Sequence, residues 1–212
     1  MTATILECPS TTSRPQRKKS AVLLAAGKLF RENGYGNTSM DAVAREADVS
    51  KATLYAYFSD KRELFAAVIA TEDEVNSRPL SSLEPEQKDI RAGLTHYART
   101  ILGMLLTPES VATYRMVMAE AARSPELGRA YYENGAAHLL DRLETVFSAA
   151  MTRGQLRRAR PRRAAEQFVG LIRGDLQLRA LLGMDGSIGE VQLRAVIRDG
   201  VDSFCRAYCP RP

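Results

Sequence analysis

Three helix starts lie within one short stretch, Thr38 to Phe65, and few folds accommodate that. Ser39 can cap a helix, its hydroxyl taking the orphan amides of the first turn. Val43 and Ala47 recur at i, i+4 and give that helix one inward face. Asp48-Val49 breaks the period, and Ser50 is placed to cap again. The second helix, Lys51 to about Tyr57, should bury Leu54 and leave Lys51, Ala52, Thr53, Tyr55 and Ala56 largely outside. Two short helices joined by so tight a turn form a helix-turn-helix, whose second helix lies in the major groove of DNA.

The ordered identities in this stretch add a resemblance. Val49-Ser50-Lys51-Ala52-Thr53-Leu54-Tyr55-Ala56-Tyr57-Phe58, followed by Lys61 and Glu63-Leu64, resembles the signature of TetR-family transcriptional regulators. The motif covers about a quarter of the chain, so the remainder is argued from its own residues.

The first long helix is predicted from Arg17 to Asn33, with Val22, Leu23, Ala26, Leu29 and Phe30 on one face and Gly34 ending it. Residues 1–15 lack periodicity and are expected to form a mobile tail. Arg14, Arg17, Lys18 and Lys19 then crowd the start of the helix, as an arm for phosphates or a minor groove or as a frayed terminus. After Phe58, Asp60 and Glu63 have capping-box spacing and open a fourth helix to about Val75. That helix would link the DNA module to the rest. A loop is expected at Arg78–Pro85.

Every later segment again has helical period: 86–106, 109–123, 126–153 with a bend near Gly135, 164–182 and 191–208. The fold class is therefore all-α, with about nine helices. Residues 16–62 would form the helix-turn-helix domain and residues 63–212 a helical regulatory and dimerisation domain. The last helix is apolar over more of its circumference than one contact face needs. A homodimer through the last two helices would cover the excess, around Phe168, Leu171, Ile172, Val196, Ile197, Val201 and Phe204. The second half is similar to the C-terminal domain of AefR-like repressors. The similarity rests on Tyr114–Ala121, Ser124-Pro125-Glu126-Leu127, Gly154-Gln155-Leu156, Ala164-Ala165 and Leu181-Leu182-Gly183. It implies a regulatory domain without naming a ligand.

Charge supports a nucleic-acid partner. The formal net charge is +5, and residues 1–62 carry ten Lys and Arg against six acids. A basic bias confined to the helix-turn-helix segment suits phosphate binding, as would an ordinary solvated surface. The arginine run Arg157, Arg158, Arg160, Arg162 and Arg163 lies outside that segment and reads as a solvated loop. Cys8, Cys205 and Cys209 suit free thiols, and no metal-ligand spacing occurs. There is no Gly-rich phosphate loop, no His-Glu-x-x-His and no Gly-x-Ser-x-Gly elbow, so neither an enzyme nor a cofactor is expected. No apolar run approaches a membrane span, and a cytoplasmic location is the expectation.

Double-stranded DNA is thus the expected partner. Ser50, Lys51, Ala52 and Thr53 would meet base edges, with Lys51 donating to guanine and Thr53 bonding or touching a thymine methyl. Tyr55, Tyr57 and Lys61 would hold phosphates, and Ser39 with the helix end it caps offers a further clamp. A small hydrophobic effector would bind among Tyr97, Ile101, Met104, Tyr114, Met118 and His138, because methionines fill irregular space around varied ligands. The sum is a ligand-responsive repressor on a pseudopalindromic operator. The alternatives are a helical dimerisation or scaffold protein, or a constitutive DNA binder without a switch.

Overall fold

Glycine, serine and aspartate punctuate the chain, and helices fill nearly everything between. The structure, a computed structural model, describes residues 14–81, 89–184 and 189–210. The expected tail up to residue 13, Cys8 and residues 82–85 of the expected loop lie outside the described residues, whereas residues 78–81, expected in that loop, continue the helix Lys61–Ser81. Among the described residues there are eleven α-helices and no strand. The chain divides into two compact units within α4, between Val68 and Ile69, six residues beyond the boundary expected at 62/63.

The first unit holds α1 (Arg14–Asn33), α2 (Met40–Glu46), α3 (Lys51–Tyr57) and the start of α4 (Lys61–Ser81). Val22, Ala26 and Phe30 of α1, Val43 of α2, Leu54 of α3 and Leu64 and Phe65 of α4 are buried together with Tyr35 and Phe58. Phe65 meets Phe30 and Tyr35 edge-on, with ring centroids 5.7 and 5.6 Å apart. Gly34 ends α1 with φ +83°, a left-handed conformation that glycine adopts without strain. Buried Thr38 then donates its hydroxyl toward the carbonyls of Leu29 and Gly34, at 3.1 and 2.9 Å, which pins the turn to the end of α1.

The second unit, from Ile69, contains α5 (Ile90–Leu105), α6 (Pro108–Glu120), α7 (Pro125–Tyr131), α8 (Ala137–Thr152), α9 (Pro161–Arg173), α10 (Leu176–Leu181) and α11 (Glu190–Tyr208). Its core lies where α5, α8, α9 and α11 pack. Phe147, Phe168 and Phe204 touch one another at centroid distances of 5.1 to 5.6 Å, and Tyr208 stacks on Phe204 at 4.6 Å.

Two predicted helices are each divided. The bend expected near Gly135 is a π-turn, Tyr132–Ala136, between α7 and α8. Asn134 donates its side-chain amide to the Ala130 carbonyl at 2.9 Å, supplying a partner beside the widened turn. The helix expected over 164–182 starts earlier, at Pro161, and breaks at Gly174, whose φ of +49° ends α9 before α10 begins. These divisions raise the count from nine to eleven.

The residues expected at the dimer interface need correction. Phe168, Ile172, Ile197, Val201 and Phe204 are at most 2% exposed within their own chain. A side chain already enclosed by its own core has no surface to give to a second copy. Of the set, only Leu171 and Val196 reach the surface.

Candidate nucleic-acid interface

Local chemistry builds the first turn of α3 from two serine caps and one left-handed turn. The Ser39 hydroxyl accepts from the Ala42 amide at 3.1 Å and starts α2. Asp48, with φ +51°, reverses the chain, a left-handed conformation that aspartate tolerates better than most residues. The Ser50 hydroxyl then accepts from the Thr53 amide at 3.1 Å and lies 2.9 Å from the Thr53 hydroxyl. α3 turns Leu54 inward, while Lys51, Ala52, Tyr55 and Ala56 are exposed and Thr53 is half-buried. Ser50, Lys51, Ala52 and Thr53 thus stand together on the first turn of α3, and Ser39 is exposed at the start of α2.

Three residues have partners that sequence reasoning missed. Lys51 pairs with Asp41 across the two helices at 2.5 Å, on a surface where both side chains are more than half exposed. Tyr57 donates its hydroxyl to the Pro15 carbonyl at 3.0 Å. Lys61 donates to the carbonyls of Tyr35, Gly36 and Thr38 at 2.7, 3.2 and 2.9 Å, with its ammonium 4.4 Å from the Tyr35 ring centre. An ammonium has three donors and a phenol one. Lys61 and Tyr57 therefore have donors committed within the chain. Asp41 carries no sequence signal of this pairing. Its spacing of ten residues from Lys51 gives no helical signal, since the pair crosses a turn.

The capping box at α4 forms with a shift of one residue. Asp60 accepts from the amides of Arg62 and Glu63, while Glu63 reaches back to the amide and hydroxyl of Ser59, both at 2.7 Å. The Glu63 amide and the Arg62 guanidinium hold the Asp60 carboxyl below its usual range. The Ser59 donors do the same for Glu63.

The expected effector residues do not stand together in one pocket wall. Tyr97 and Ile101 belong to the buried core, Met104 packs against it, and Met118 is 63% exposed on α6. Burial raises the Tyr97 phenol above its usual range. Tyr114 is half-buried and His138 is exposed, and Tyr114 meets Tyr131 edge-on at 5.6 Å. Burial pushes the Tyr131 phenol up to about 12, with Tyr114 and Glu72 adding to the rise and Arg173 opposing it. Thr113 Oγ1 and Gln177 Oε1 are buried without a hydrogen-bond partner among the described residues, a costly arrangement that an incoming polar group would relieve. An open groove of about 590 Å³ on α8, bordered by Asp141, Glu144, Ser148 and Pro161, includes none of the expected effector residues. No helix among the described residues is long and apolar enough to cross a membrane.

Comparisons with known proteins agree with this geometry. Residues 22–68 match the family profile of bacterial regulatory proteins of the tetR family, and residues 92–210 match the C-terminal domain of AefR-like transcriptional repressors. A solved TetR-family regulator from Mesorhizobium loti is 28% identical and superposes with a TM-score of 0.82, covering 94% of this chain and all of that one. The flavonoid-responsive regulator FrrA is 37% identical with a TM-score of 0.79, covering 93% of this chain and all of that one. A helix-turn-helix regulator of Mycobacterium tuberculosis is 26% identical over 84% of this chain and 83% of its own. Helix-turn-helix geometry, a helical second unit and similarity spanning both place one conclusion beyond the motif alone: the chain belongs to the TetR family of transcriptional regulators, with an AefR-like C-terminal domain, and is not an enzyme.

Proposed function

We propose that the protein is a repressor that binds a pseudopalindromic operator as a homodimer and leaves it when a small, mostly apolar effector occupies the second unit. The observation that carries the DNA half is the first turn of α3, where Ser50, Lys51 and Ala52 stand exposed, and Thr53 half-exposed, on a serine-capped helix. Tyr55, half exposed on the same helix, is the phosphate ligand we retain from the expected set, together with Ser39. Tyr57 and Lys61 act instead by positioning the turns they hold.

The effector half is supported by chemistry around the π-turn and by FrrA, which is named as flavonoid-responsive. Tyr114 and Tyr131 supply paired ring faces beside that turn, and Thr113, on the same helix as Tyr114, supplies an unpaired buried hydroxyl. A planar aromatic effector bearing hydroxyl groups matches these groups. Its arrival would act on DNA through α4, the one helix shared by both units. By linkage, such an effector binds the DNA-free protein more tightly by the same factor by which it weakens DNA binding.

A gel shift on the DNA upstream of the protein's own gene, with and without a panel of flavonoids, tests both halves. Retardation that a flavonoid reverses is the expected result. Retardation that no compound reverses leaves a constitutive DNA binder, and no retardation leaves a dimerisation protein.

A further inference from the structure

We propose that the first two turns of α1 form a phosphate-gripping flank of the DNA interface, hung from the far end of α3 by Tyr57. The proposal rests on the DNA-binding reading and adds to it a second contact surface and a different role for Tyr57.

The basic residues concerned are Arg17 and Lys18. Both are exposed, and neither has an ion-pair or hydrogen-bond partner among the described residues. Their neighbour Lys19 behaves differently: its ammonium lies 5.7 Å from the centre of the Phe58 ring and is folded onto the domain. No acidic residue occurs in the first turn of α1 to neutralise the pair.

The tether decides where this charge is presented. The Tyr57 hydroxyl bonds the Pro15 carbonyl at 3.0 Å, and Tyr57 is the last residue of α3. Pro15 precedes Arg17 by two residues, so the same turn of α1 carries both the tether and the charge. α3 begins with the base-facing turn at Ser50–Thr53 and runs seven residues from Lys51 to Tyr57. At a rise of about 1.5 Å per residue, the two ends are about 10 Å apart. The major groove is about 12 Å wide. With its first turn on the base edges, α3 therefore brings its last turn, and the α1 turn attached there, to the phosphates lining the groove. Two cations held at that distance supply affinity without reading sequence.

The role of Tyr57 follows. A phenol that spends its single proton on Pro15 positions the arm and does not itself donate to a phosphate.

Equilibrium binding of the full chain to its operator duplex and to a random duplex, across a range of salt, tests the proposal. The variants are Arg17→Gln/Lys18→Gln, Tyr57→Phe and all three together. Glutamine removes the charge and keeps a good helix former. The charge variant is expected to lose the same factor in affinity on both duplexes. Its slope of log affinity against log salt should be shallower by about two, since each phosphate contact contributes about 0.9. Tyr57→Phe is expected to weaken binding in the parent chain and to have no further effect in the charge variant. An unchanged salt slope in the charge variant overturns the flank. A Tyr57→Phe loss that multiplies with the charge loss makes Tyr57 an independent phosphate ligand and overturns the tether. Failure of the parent chain to bind either duplex is a separate outcome and removes the DNA-binding reading itself. A circular-dichroism melt on each variant supplies the folding control. If Tyr57→Phe melts early, the charge variant alone, which touches only exposed side chains, still decides the flank.

Discussion

Lys51 has to leave one partner to reach another. Its ammonium sits on Asp41, an exposed pair of the kind that contributes about 0–1 kcal/mol. A good contact to guanine is worth about 1–3 kcal/mol of discrimination, so the exchange favours DNA. We expect Lys51→Ala to weaken operator binding by about 1–3 kcal/mol while changing random-duplex binding little. Asp41→Asn should strengthen binding, because it frees the ammonium and removes an anion from the DNA face. Titrations at one fixed salt concentration check both, and equal losses of Lys51→Ala on the two duplexes would make it a phosphate ligand instead. Lys61 shows the opposite situation. Its three carbonyl partners belong to the turn that Thr38 pins; the Tyr35 carbonyl also accepts from the Thr38 amide at 3.3 Å, and for the Gly36 and Thr38 carbonyls no other donor is shown among the described residues. Lys61→Met keeps the stem but strands those carbonyls, and should cost about 1–3 kcal/mol in a denaturant titration. Operator affinity should fall with it, through the displaced start of α2.

At the scale of elements, the crossing of α9 and α11 depends on the missing side chain of Gly200. A Cβ there would lie 2.9 Å from the Leu171 carbonyl oxygen and 3.1 Å from the Ile172 Cα, both backbone atoms of α9. Alanine gains about 1 kcal/mol of helix propensity over glycine. Backbone cannot yield as a flexible side chain does, so overpacking of about 1–3 kcal/mol outweighs that gain. Gly200→Ala is therefore expected to lower the thermal midpoint. Gly103→Ala on α5, with nothing within 4 Å of its Cβ, should raise it by the propensity gain. Midpoints moving in the same direction would refute the close-crossing account. The same two helices show where sequence patterns stop being informative. The caps at Ser39, Ser50 and Asp60 were legible, because a hydroxyl or carboxylate before an apolar period has one local use. Gly174 was not: a glycine inside a helical period is compatible with an interior, a break or a close approach, and only the tertiary fold selects the break with φ +49°. The donors of Tyr57 and Lys61 escaped for a related reason. Their partners are backbone carbonyls 42 and 23–26 residues away, which side-chain patterns do not encode.

For the whole molecule, the wide apolar arc of α11 says that its face is covered, without saying by which chain. Phe204 and Ile197 turn out to be covered by their own core. What a second copy can cover is the apolar surface left over: Leu171 at 39% exposure, Leu178 at 58%, Leu182 at 64% and Met184 at 61%. Leu178 and Leu182 stand four residues apart on and just beyond α10, hence on one face. A buried leucine is worth about 1.5–3 kcal/mol over an exposed one, and a two-fold axis counts each residue twice. One helix-turn-helix reads only a few base pairs, so affinity for a pseudopalindrome depends on pairing two of them at about 34–36 Å, one turn of DNA. Leu178→Glu/Leu182→Glu introduces charges that an apolar interface cannot solvate, at positions where a single chain loses no core contact. Light scattering at micromolar concentration should report a dimer for the parent chain and half that mass for the variant, with circular dichroism unchanged. Operator affinity should fall steeply in the variant, while binding to an isolated half-site stays near the parent value. A variant that remains dimeric would show that pairing uses another face, and a parent chain that is monomeric would remove the dimer from the account.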